Sequence, residues 1–140
     1  AEKESAFTEL YQRHSQRLYQ YCRRICGHDE MASDVLQDTF MRLLKAADSR
    51  VEMDAARLLT YRAAALADKG LRYSREASMA KLYASEAATR ACNRSLQIHG
   101  GYGYTKDFPV EKFFRDSKLC TIGEGTSEVQ KLVIAREAMK

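Results

Sequence analysis

Proline occurs once in this chain of 140 residues, at position 109. No other feature constrains the fold as much, because proline is the residue that most firmly ends a helix. On either side of it the sequence is rich in Ala, Leu, Arg, Lys and Glu, all good helix formers. Apolar residues recur at steps of three and four. Over 5–26, SAFTELYQRHSQRLYQYCRRIC puts Phe7, Leu10, Tyr11, His14, Leu18, Tyr21, Cys22 and Ile25 on one stripe, and Gly27 supplies a stop. Over 28–47, Ala32, Val35, Leu36, Thr39, Phe40, Leu43, Leu44 and Ala47 form a second stripe. Asp29, Glu30 and Asp34 come early there and Lys45 late, as the helix dipole favours. The two stripes predict an antiparallel pair turning at Gly27.

Asp48-Ser49-Arg50 reads as a weak break and a junction, followed by a third helix over 51–69 that closes at Gly70. A fourth helix is predicted over 74–98, with Ser74 as N-cap and a small inner face of alanines at 77, 80, 84, 87, 88 and 91. Pro109 opens a short helix through Phe114. Ser127 with Gln130 forms a capping-box pattern at the head of a last helix, 127–139. No strand pattern and no internal repeat is present. The expectation is an all-α fold, a helical bundle of about five main helices plus one short helix, forming a single domain over 1–140.

Net charge is +4, with −1 in the first 48 residues and +5 in the remainder. That distribution is too diffuse for a nucleic-acid surface. No run approaches the ~18 apolar residues of a membrane span. The opening AEKESAFTEL is polar and acidic, unlike a secretory leader, so a cytoplasmic protein without membrane contact is expected. Cys22, Cys26, Cys92 and Cys120 lack the paired spacing and the histidines of a metal site. They read as reduced thiols, with no metal. His14, set in an apolar stripe, reads as a helix-packing or boundary residue and not as a ligand.

Residues 121–130, TIGEGTSEVQ, place Glu124 between Gly123 and Gly125. Such a carboxylate is either a solvated loop charge or a base whose backbone must pass close to a ligand. The surrounding motifs favour the second. LQIHGGYGY over 96–104, PVEK over 109–112, Arg115-Asp116 and EGTSEVQ over 124–130 resemble, in order, the C-terminal helical domain of acyl-CoA dehydrogenases. The resemblance extends back through AARLLTYRAA and ASMAKLYASEAAT, covering about 51–140. It implies that Glu124 descends from the base that takes the α-proton of an acyl-CoA thioester while FAD accepts hydride from the β-carbon. It further implies that Gln97, Gly100 and Gly101 face FAD, partly across a subunit interface, and that Thr126 and Glu128 lie near the flavin. The family usually has an aromatic residue before the Glu; here Gly123 stands there. Arg115 and Asp116 read as structural.

The first stretch, Phe7–Ala46, resembles region 2 of an extracytoplasmic-function-type RNA polymerase sigma factor. The features are an F-x-x-L-Y start, an R-L-Y-x-Y core and D-V-x-Q-D-T-F-x-R-L. That resemblance implies polymerase contacts through Asp34, Gln37, Asp38 and Arg42. Taken together, the two resemblances lead to the expectation of a chimera. A sigma-like hairpin over 1–48 would be joined to a dehydrogenase-like fragment over 49–140, made by engineering or recombination, with no native activity, no bound cofactor and no required partner. The alternatives are a remnant that binds flavin or acyl-CoA, and a polymerase-binding module. Phe108, Phe113, Leu119 and Ile122, from loops 99–109 and 117–126 and the short helix between them, are expected to be exposed, offering a route to a homodimer.

Overall fold

The computed structural model describes the backbone of residues 2–140 and the side chains of residues 8–43 and 46–140. The side chains of Phe7, Leu44 and Lys45, placed on helices above, lie outside the described residues. Every regular element among them is helical, as the periodicity predicts: five α-helices and one 3₁₀ turn. These are α1 (Glu2–Cys26), α2 (Asp29–Asp68), α3 (Ser74–His99), the 3₁₀ turn (Gly100–Tyr104), α4 (Val110–Ile122) and α5 (Ser127–Ala138). Contacts divide the chain into two compact units, Ala1–Lys45 and Ala46–Lys140.

The first unit is a helical hairpin. Gly27 takes φ 73°, a left-handed conformation that costs glycine little, and its N–H returns to the Arg23 carbonyl at 2.9 Å. Ala32, Leu36 and Phe40, one turn apart on α2, are buried, and the Tyr11 ring lies 4.7 Å from that of Phe40. The Tyr19 hydroxyl donates to Asp29 Oδ1 at 3.1 Å, and Arg23 Nε reaches the same oxygen at 2.7 Å. This seam is narrower than the sequence stripe: Tyr21 and Ile25 stay 64% and 68% exposed.

In the second unit α3 is the central element, packing on α4, α5 and the 3₁₀ turn. Its buried face is small and partly polar: Ala80 and Ala87 with Ser78 and Ser85. Ser85 Oγ satisfies itself on the Leu82 carbonyl at 3.1 Å. Glu52 of α2 ties to α3 by accepting from Arg90 Nε at 2.9 Å and Arg94 Nη1 at 3.0 Å, and Ser49 Oγ accepts a further bond from Arg94 at 2.9 Å. Two more carboxylates are shielded and paired. Glu76, buried, meets Arg75 at 2.7 Å and Arg62 at 3.5 Å. Glu137, with its side chain 5% exposed, meets Arg72 at 2.6 Å and Lys140 at 2.8 Å. The hydrogen bond from Arg75, then one from its own backbone, hold Glu76 below the usual carboxyl range; that from Lys140, aided by the Arg72 charge, does the same for Glu137.

Several boundaries differ from those predicted. Residues 48–50 are helical, so the segments 28–47 and 51–69 form one helix, α2. The triplet carries neither Gly nor Pro, and Ser49 is engaged by Arg94 instead of capping a new start. The helix after Pro109 runs to Ile122, well past Phe114, because the first helix breaker beyond it is Gly123. Tyr73, not Ser74, stands at the N-cap position of α3. Phe108, Phe113, Leu119 and Ile122 are exposed, as expected.

Candidate functional site

The loop between α4 and α5 is an extended glycine, two residues of left-handed backbone and a cap. Helix α4 ends at Gly123, whose N–H bonds to the Leu119 carbonyl at 2.8 Å while its backbone turns to the extended region. Glu124 then takes φ 56°, and it is the non-glycine residue with positive φ among those described. Gly125 follows at φ 93°. An L-residue in the left-handed region is held there by its surroundings, at a cost of about 1 kcal/mol or more. Thr126 closes the loop as N-cap of α5, its Oγ1 accepting from Val129 N at 3.4 Å.

Two side chains hold this conformation. Gln130 reaches back from α5, its Nε2 donating to the carbonyls of Glu124 at 3.1 Å and Gly125 at 3.4 Å. The predicted capping box is therefore replaced: Gln130 secures the loop carbonyls and Thr126 caps the helix. From α3, Lys81 Nζ donates to the Gly125 carbonyl at 2.6 Å. A side chain on Gly125 would begin 2.8 Å from Gln130 Nε2, so the loop needs glycine there for space as well as for φ.

Beside the loop lies a groove of about 600 Å³ between α3 and α4. Ala84 and Ala88 form one wall, Leu119 and Cys120 the other, and Lys81, Ser85, Gly123 and Glu124 complete it. The small side chains predicted on α3 serve here to leave space. Glu124 is exposed and lines this groove, so a carboxylate meets a mainly aliphatic surface. The arrangement can place an apolar chain in the groove and offer a proton acceptor at one of its atoms.

Thr126 and Glu128 sit on the other side of α5's first turn, in a more polar cleft with Glu86, Arg90 and Lys118. A hydrogen bond from its own backbone N–H, then one from the Thr126 hydroxyl, keep the Glu128 carboxyl below its ordinary range. Gln97, Gly100 and Gly101 lie elsewhere, at the C-terminal end of α3 and the start of the 3₁₀ turn, all exposed. At 1.5 Å per helical residue, Gln97 stands about 24 Å along α3 from Lys81. The predicted residues therefore make two separate surfaces. For FAD the fit is that of one wall: Gly100 and Gly101 have no atom within 4 Å of where a side chain would begin, leaving an open backbone edge next to the Gln97 amide.

Asp34, Gln37 and Asp38 are exposed on α2, and Arg42 Nε pairs with Asp38 Oδ2 at 2.6 Å, one turn apart. No metal-binding group of His, Cys, Asp and Glu is present among the described residues. None of their helices is long and apolar enough to cross a membrane. Lys81, Ser85 and Cys120 were given no role by the sequence and Gln130 only that of a capping box, because the contacts they make arise from packing.

Residues 10–139 match the family described as acyl-CoA dehydrogenase, C-terminal domain. A probable acyl-CoA dehydrogenase of Bacillus subtilis is 55% identical over 96 residues, 69% of this chain and 25% of its own length. The cyclohexane-1-carbonyl-CoA dehydrogenase of Geobacter metallireducens is 43% identical over 137 residues, 98% of this chain and 33% of its own. The solved butyryl-CoA dehydrogenase of Megasphaera elsdenii matches with a TM-score of 0.69 and 37% identity, over 74% of this chain and 26% of that one. The chain thus spans about a quarter to a third of the length of these relatives. The matched residues include 10–46, which corrects the assignment of 6–47 to a sigma factor and, with it, the chimera of two unrelated fragments. The features that suggested a polymerase surface are those of any amphipathic helix: a buried Ala32–Leu36–Phe40 seam and an Asp38–Arg42 pair one turn apart. The chain belongs to the acyl-CoA dehydrogenase family, as its C-terminal helical domain.

Proposed function

We propose that this chain provides the proton-abstracting wall of an acyl-CoA-oxidising flavoprotein, with Glu124 as the base. The observation that carries the reading is the Glu124 loop: a carboxylate held at positive φ and lining a mainly aliphatic groove. Strained backbone of this kind persists where the surrounding structure over-determines it, and it clusters at functional sites. The groove takes the aliphatic part of an acyl thioester, and Gly123, in place of an aromatic residue, leaves that side of it open. The Glu124 carboxylate accepts the proton from the carbon next to the thioester carbonyl and becomes the neutral acid. When bound, FAD would accept the hydride from the adjacent carbon, completing the double bond. Gln97, Gly100 and Gly101 would hold a flavin dinucleotide on their own surface; their separation from the loop supports a flavin shared with a second copy of the chain. The names of the relatives, which include dehydrogenases of acyl-CoA and cyclohexane-1-carbonyl-CoA, agree with this substrate class.

The test uses the purified chain with added FAD and butyryl-CoA in D₂O. Deuterium uptake at C2 of the acyl group is expected, lost by about 100-fold or more in Glu124→Gln, as for removal of a general base. A colourless chain that takes up no FAD and gives uptake no different from Glu124→Gln overturns the proposal in favour of an inert helical scaffold.

A further inference from the structure

We propose that Lys81 is the positioning residue of the Glu124 loop. By holding the Gly125 carbonyl it fixes the carboxylate relative to the groove wall. The inference rests on the reading of Glu124 as the base and deepens it. A lysine ordinarily extends its ammonium into water. Lys81 is instead half-buried, lines the groove, and spends a bond of 2.6 Å on a backbone carbonyl 44 residues away. A charged donor at that distance makes one of the stronger kinds of hydrogen bond.

The two tethers of the loop are not equivalent. Gln130 belongs to α5, the helix that the loop itself enters, so its bonds fix Glu124 and Gly125 to α5 alone. Lys81 belongs to α3, which supplies Ala84 and Ala88 to the groove. It therefore sets the distance between the carboxylate and whatever lies against those alanines. Without it, Glu124 keeps its chemistry and loses its place. Misplacing a reacting group by about 1 Å costs on the order of 100-fold in rate.

Lys81→Met keeps the aliphatic stem and removes the donor. Lys81→Gln, too short to reach, is the second variant, and Lys81→Arg is the conservative one. Each is compared with the wild type and Glu124→Gln in the full chain with FAD and butyryl-CoA. Two readouts are taken: deuterium uptake at C2, and the φ-dependent three-bond NMR couplings across Glu124. The expected result is an uptake loss of about 100-fold in Lys81→Met and Lys81→Gln, loss of the positive-φ couplings in both, and recovery of both signals in Lys81→Arg. Unchanged couplings in Lys81→Met and Lys81→Gln overturn the positioning role whatever the uptake does. Changed couplings with unchanged uptake overturn it too. Wild-type uptake equal to that of Glu124→Gln defeats the assignment of Glu124 as base, a failure told apart because the couplings still report on Lys81.

Discussion

Replacing Gly125 by alanine tests the loop geometry without reference to any activity. Two costs can be read from the structure. The first is backbone: at φ 93° an L-residue lies at or beyond the edge of the left-handed region, which costs about 1–2 kcal/mol. The second is contact: the new methyl would begin 2.8 Å from Gln130 Nε2, so that side chain must swing away. It then gives up its bonds to the carbonyls of Glu124 and Gly125, each contributing about 0.5–1.5 kcal/mol. The sum is about 2–5 kcal/mol. For a cooperative unit near the size of Ala46–Lys140 this corresponds to a fall in melting temperature of about 10–25 °C. Thermal melts followed by circular dichroism, with urea midpoints alongside, give the measurement. The same substitution in a Gln130→Ala background should cost only the backbone part, so the cycle should show a coupling of about 1–3 kcal/mol. A Gly125→Ala chain melting within 1–2 °C of the wild type would refute the reasoning. Equal costs in both backgrounds would refute its contact half.

Glu137 and Glu76 have folded-state values below their ordinary 4.5. Their contribution to stability is therefore present above about pH 4.5 and is lost as pH falls through the lower folded value. Urea midpoints from pH 6 downward should show this loss, and Glu137→Gln should flatten it; an identical acid limb in that variant would count against the pairing. Glu52→Ala should destabilise by about 1–3 kcal/mol, because it removes the acceptor that Arg90 and Arg94 share. An unchanged urea midpoint would mean that this tie is too solvated to matter.

Helix identity was legible because period and composition agree across most of the chain, and Gly27, Gly70 and Pro109 punctuate it. Where a helix lacked such punctuation the boundaries went astray. Asp48-Ser49-Arg50 looked like an interruption on polarity alone, yet polar residues on an exposed helix face interrupt nothing. The unusual backbone at Glu124 and Gly125 was legible in part, through the glycines that flank the carboxylate. Lys81 was not, because its partner lies 44 residues away and a lysine on an alanine-rich helix looks like solubilising charge. Glu76 and Glu137 were missed for the same reason, since Arg62 and Arg72, which pair with them, arrive from other parts of the chain. The sigma-like pattern misled because a hairpin of amphipathic helices imposes much the same spacing on unrelated sequences.

Leu58, Phe113, Leu119 and Leu132 each remain more than half exposed, and no large side chain among the described residues is fully buried. Heat capacity responds to the hydrocarbon newly wetted on unfolding, about 0.45 cal/K/mol for each Å². Surface that is already wet adds nothing to that increment. The stability curve of this chain should therefore be broad and low, varying gently with temperature. Its urea dependence should be correspondingly shallow, since that slope scales with the same newly exposed area.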